Sequence, residues 1–119
     1  MYEDRAATLE AMGLGLDAAA AVQPLHLRIT QEEFGTLNKG HRSALSFTYG
    51  CLLGCLGQIE SSGYLTGVGS AYSGANEGRK LCEKALGSST CGVAASIYRE
   101  RLAVFKAIRR AVNDAKGGA

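Results

Sequence analysis

Apolar and polar residues follow a helical period along most of this chain, and a strand's period in one place. The most apolar stretch is Ser43–Ile59, SALSFTYGCLLGCLGQI, which carries no charge over seventeen residues. Leu45, Thr48, Leu52, Cys55 and Ile59 fall three or four positions apart and define one face of an α-helix. Ser46, Gly50, Gly54, Gly57 and Ser61 recur at the same spacing on a neighbouring face. Phe47, Leu53 and Leu56 fill much of the remainder. A helix over about residues 41–61 is therefore apolar nearly all round and belongs at the centre of the fold. Each interior glycine costs roughly 1 kcal/mol relative to alanine. Three in eight residues imply a compensating close approach, with Ser46, Gly50, Gly54 and Gly57 forming a groove for another backbone.

The other helices are read outward from this one. Tyr2, Ala6, Leu9 and Met12 form a short stripe that Gly13 and Gly15 stop, and Asp17 can cap the alanine run Ala18–Val22 before Pro24. Residues 1–24 read as an N-terminal arm or short helix, and residues 25–119 as a single helical domain. Thr30-Gln-Glu-Glu33 fits a capping box that opens a helix burying Phe34 and Leu37 and ending at Asn38-Lys39-Gly40. Tyr64–Ala75, rich in glycine and serine, suits a helix and an ordered loop equally. Asn76 can cap a helix through Leu86, with Leu81, Cys82 and Leu86 inward and Arg79, Lys80, Glu83 and Lys84 outward. The clearest amphipathic pattern runs from Cys91 to about Lys116. It turns Ala94, Ile97, Leu102, Phe105, Ile108 and Val112 inward, while Arg99, Lys106 and Arg110 line an outer face.

The strand-like stretch is Leu25-His26-Leu27-Arg28-Ile29-Thr30, where alternation puts Leu25, Leu27 and Ile29 on one face. A lone strand leaves its backbone groups unpaired, and no other stretch alternates as well. The expected partner is the same strand in a second copy, antiparallel about a two-fold axis. The expected fold is thus mainly α: a compact helical bundle around a central Gly-rich helix, with a short strand at residues 25–30 pairing across a homodimer.

Composition narrows the function. Apolar residues make up 46% and charged residues 20%, which fits a globular chain. A net charge of +2 is too small by itself to argue for nucleic acid. Residues 99–116 hold six basic and two acidic side chains, net +4, which leaves −2 elsewhere; this reads as a solvated face. The N-terminus lacks the basic start and apolar run of a secretory signal, and Ser43–Ile59 falls short of the roughly 18–20 apolar residues of a membrane span. The expectation is a cytoplasmic protein with four free thiols and no membrane contact. Cys51 and Cys55 have ligand-like spacing but lie in the most apolar segment, so they read as buried thiols and no metal is expected. His26 and His41 stand in no triad or metal spacing, and Gly67–Gly74 lacks the lysine of a phosphate loop. No enzyme activity and no cofactor are expected.

Residues 25–60 combine LHLRIT, a capped TQEEFGTLNKG and HRSALSFTYGCLLG, and in this order they resemble the ribbon-helix-helix family of transcriptional repressors. The resemblance covers about a third of the chain. It implies that His26 and Arg28 enter a DNA major groove from a two-stranded ribbon, with Arg42 near a phosphate. Some two dozen residues precede the strand here, whereas the family usually starts with it. The leading expectation is a small non-enzymatic regulatory protein, of inhibitor, anti-activator or adaptor type, that binds another protein as a homodimer. Tyr64 and Tyr72 are its expected partner contacts. The alternative is a ribbon-helix-helix-like DNA-binding repressor.

Overall fold

A computed structural model describes residues 2–61, 68–88 and 92–117 of the chain. Its helices are α1 (Tyr2–Ala11), α2 (Leu16–Ala21), α3 (Leu25–Arg28), α4 (Gln31–Thr36), α5 (Lys39–Ser61), α6 (Val68–Leu86) and α7 (Gly92–Gly117). The class is mainly helical, and no strand occurs among the described residues.

Three long helices, α5, α6 and α7, make the body of the fold, and their contacts fix their directions. The Cys55 thiol donates to the Ala71 carbonyl at 3.3 Å, and Gly74 lies over Cys51 and Cys55, so α6 runs back along α5. Gly78 meets Phe105 and Tyr72 meets Arg109, so α7 turns back along α6 and runs parallel to α5. The stripe Leu45, Thr48, Leu52, Cys55 and Ile59 is buried as its spacing predicts, with Leu56 beside it. From α7 come Ala94, Ile97, Phe105, Ile108 and Val112; Leu102 is only partly buried. Burying each large apolar side chain contributes roughly 1.5–3 kcal/mol, so this three-helix seam dominates stability.

The backbone approaches that glycine permits lie on α6. A Cβ on Gly78 would overlap the Phe105 ring, and one on Gly74 would lie 2.9 Å from Cys55 Sγ. At Gly50 and Gly54 an added Cβ meets nothing within 4 Å. The central helix turns its leucine stripe inward and its glycine face outward. Nothing in a helix that is apolar all round dictates which way it turns.

The largest departure from expectation is at residues 25–30. Leu25–Arg28 form one helical turn, and only Ile29 and Thr30 are extended. Leu25 (8% exposed) and Ile29 (5%) are buried together while Leu27 (59%) faces solvent; a strand would have put all three on one side. The physical reason is backbone pairing. No second strand stands beside this segment among the described residues, whereas one helical turn joins Leu27 N–H to the Pro24 carbonyl and Ile29 N–H to that of Leu25, both at 3.0 Å. Leu25 and Ile29 are also four apart, a spacing that suits a helix as well as alternation does.

Element ends differ where caps compete. The capping box forms: Thr30 Oγ1 accepts from Glu33 N–H at 3.0 Å, and the Glu33 carboxylate accepts from Thr30 N–H at 3.1 Å. Asn38, however, starts α5 rather than ending α4, its Oδ1 accepting from His41 N–H at 2.7 Å; Gly40 therefore lies inside α5. Gly13 takes φ +79° after α1, and Gly15, not Asp17, occupies the N-cap of α2. Helix α6 starts well before Asn76, whose side chain holds Arg79 instead of capping.

The short N-terminal helices share the core through Leu9, Ala18, Ala21 and Val22. Arg5 pairs with Glu60 at 2.7 Å, and the Thr8 hydroxyl donates to the same carboxylate at 2.6 Å. A deeper tie comes from Arg101 on α7, which is fully buried. Its guanidinium donates to the Leu45 carbonyl, to Thr48 Oγ1 at 3.0 Å and to the Gln23 carbonyl at 3.4 Å, and lies over the Tyr49 ring at 5.5 Å. No carboxylate pairs with it among the described residues. Gln23 lies just past the end of α2, where unpaired carbonyls carry partial negative charge. Burial pulls the Arg101 pKa down to about 10, so the group stays charged at neutral pH and joins α2 and α5 to α7.

Candidate functional site

With the leucine stripe turned inward, the other side of α5 lies on the surface. Ser43, Ser46, Phe47, Gly50, Gly54 and Gln58 are all exposed there, at helical spacing and without a charge. Phe47 keeps 54% of its surface in contact with solvent. Gly57, further along, is half-buried, and a Cβ there would lie 3.5 Å from the Arg5 guanidinium. On the Ser46 and Tyr49 side of α5 a hollow of about 320 Å³ is lined by Pro24, Leu25, Phe34, Ser46 and Tyr49. The surface of α5 thus carries an exposed ring at Phe47 and, on its Ser46 and Tyr49 side, a mostly apolar recess. Two helical glycines with open space over them cost the isolated chain roughly 1 kcal/mol each, and no packing among the described residues offsets that.

The remaining residues singled out by the sequence are dispersed. Leu25 and Ile29 are in the core, and Leu27 stands out alone. Arg28, which the ribbon-helix-helix resemblance assigns to DNA, forms an ion pair with Glu100 on α7. Arg42 is half-buried near the start of α5. The His26 side chain and all of Tyr64 lie outside the described residues. Tyr72 is half-buried, and its hydroxyl accepts from Arg109 Nη2 at 3.3 Å with the guanidinium 5.4 Å from its ring centre. That donor holds the Tyr72 phenol below its ordinary pKa.

A second recess, of about 450 Å³, opens where the start of α5 meets the end of α6. His41 Nδ1 lies 3.1 Å from the Tyr98 hydroxyl, their rings edge to face at 5.8 Å, with Lys84 and Ser88 at the rim. Burial, then the nearby Cys82, pushes the Tyr98 phenol up. Histidine and tyrosine satisfy each other, which suits a fixed pair at the end of the bundle.

Three thiols complete the inventory. Burial pushes Cys55 and Cys82 up to about 12, and burial followed by Glu77 raises Cys51, so all three are protonated at neutral pH. Cys91 lies outside the described residues. No group of three His, Cys, Asp or Glu side chains that could hold a metal ion occurs among the described residues. No helix among them is long and apolar enough to cross a membrane. No family model matches the chain, and neither a curated protein nor a solved structure matches it.

Proposed function

We propose that this chain is a small, non-enzymatic regulatory protein of the cytoplasm, of inhibitor, anti-activator or adaptor type. It acts by binding another protein, and it does so as a homodimer. One observation carries the reading: the central helix leaves a face of small residues uncovered, with Phe47 exposed on it and an apolar hollow opening at Ser46 and Tyr49. In a two-fold arrangement, Phe47 of each copy enters the hollow of the other, and the glycines let the two α5 helices approach closely. Antiparallel pairing also brings the basic start of α5, with Lys39 and Arg42, toward the end that carries Glu60. Area sets a further condition. A 23-residue helix is roughly 34 Å long and 10 Å wide, well under the roughly 800 Å² per partner of a standard interface. The hollow and the exposed Leu27 must therefore contribute. Sedimentation equilibrium tests the dimer: the wild type should approach twice its 12.4 kDa mass, and Phe47→Asp should return it to the monomer with its helical signal intact. Capture from the native host, with the wild type and the Phe47→Asp variant as baits, tests the partner. A monomeric wild type that retains no protein overturns the reading.

A further inference from the structure

The antiparallel packing of α6 on α7 gathers charge that is scattered in sequence. Arg79 on α6 and Lys106, Arg109 and Arg110 on α7 line a groove of about 560 Å³ that also holds Glu83 and Asp114. Four cations less two carboxylates give the groove a net charge of +2. The cations are not equivalent. Arg79 is spent internally: its Nη1 donates to both Glu83 oxygens at 2.8 and 3.0 Å, and its Nη2 donates to Asn76 Oδ1 at 2.9 Å. Arg109 is held in place by the Tyr72 ring and hydroxyl. Lys106 and Arg110 are exposed, and neither these two nor Arg109 has a carboxylate within 4.0 Å among the described residues.

We propose that this groove binds an acidic peptide segment of the partner protein, with two or three Asp or Glu side chains seated on Lys106, Arg109 and Arg110. This rests on the protein-binding reading above and names the chemistry of the partner. Two arginine forks suit carboxylates, which accept two parallel N–H donors. The carboxylates in the groove decide against nucleic acid. A duplex brings one negative charge per roughly 1.7 Å of its axis and would press charge onto Glu83 and Asp114. A peptide chooses where its acids fall and can turn backbone N–H groups to those two carboxylates.

The test uses the full chain and a labelled twelve-residue Asp/Glu-rich peptide. Controls are the Asn/Gln version of that peptide, a twelve-nucleotide single strand and a short random duplex, all at about 0.15 M salt, where the screening length is about 8 Å. The acidic peptide should bind, with amide shifts confined to the 79–83 and 106–114 segments, and the Asn/Gln peptide should not. The double variant Lys106→Glu with Arg110→Glu, both at exposed positions, should weaken binding at least tenfold with unchanged helicity. Tighter binding of either nucleic acid than of the peptide overturns the proposal in favour of a nucleic-acid surface. Absence of binding, or equal binding by the double variant, makes the groove a solvated face. Reading mass and peptide binding together on the wild type separates the two ideas: a dimer that ignores the peptide rejects the groove alone, and a monomer that binds it rejects the dimer alone.

Discussion

Two pairs of glycines, each four residues apart, stand on neighbouring helices and do opposite things. Gly74 and Gly78 on α6 lie against Cys55 and Phe105, where a methyl group has no room. Gly50 and Gly54 on α5 have open space above them. On α6 the glycine penalty is offset within the chain by close helix packing. On α5 nothing among the described residues offsets it, and a face that costs stability without such a return is where an external contact has something to gain.

The most damaging way to probe the comparison is Gly78→Ala. The new methyl collides with a fully buried ring, and overpacking of this kind costs about 3 kcal/mol. Against a domain stability of roughly 5–15 kcal/mol that lowers the melting temperature by more than 10 °C. Adding Phe105→Leu should restore part of the loss, so the double variant is more stable than the two single effects summed. Unchanged melting of Gly78→Ala would mean that α6 and α7 sit further apart than described. Gly74→Ala meets a single sulfur at 2.9 Å, and helix propensity returns roughly 1 kcal/mol, so the net loss should be about 1 kcal/mol.

For the outer pair the sign reverses. In dilute solution, Gly50→Ala and Gly54→Ala should each raise stability by roughly 1 kcal/mol, because the methyl group meets nothing and the helix gains propensity. At concentrations where the dimer fills, the same variants should weaken self-association. A variant that raises melting equally at all concentrations would show a face that no second copy covers.

What could be read from residues, and what could not, follows the same division. The leucine stripe of α5, the Thr30–Glu33 box and the inner face of α7 were legible because each is set by local spacing. Which of the two uncharged faces turns inward was not, since Ser46, Gly50 and Gly54 recur as regularly as Leu45, Leu52 and Ile59. Strict alternation at Leu25–Ile29 did not foretell the helical turn of the single chain, because the backbone pairing that a strand needs comes from outside the segment. Arg101 lacked any apolar signal and Tyr98 carries a hydroxyl: their burial depends on partners at His41, Leu45 and Thr48, more than fifty residues away. The groove of Arg79, Lys106, Arg109 and Arg110 was half visible, as a basic outer face on α7, and needed the α6 pairing to complete it.

The mildest probe of the two sides of α5 is a pH series that uses the thiols. Cys55 faces α6 beside Gly74, while Gly54, its neighbour in sequence, faces solvent. Burial moves Cys55 and Cys82 from an ordinary 9.0 up to about 12. An acid whose pKa is higher in the folded state binds its proton more tightly there. Its contribution to stability is complete below pH 9 and is lost as pH rises from 9 toward 12. Denaturant midpoints should therefore be flat through neutrality and fall above pH 9, and Cys55→Ala should flatten part of that fall. Alkylation at pH 7.5 should mark Cys51, which is half-exposed, before Cys55 and Cys82. If Cys55 labels as fast as Cys51 in the folded protein, α6 does not cover that side of the helix, and the contrast between the two glycine pairs disappears with it.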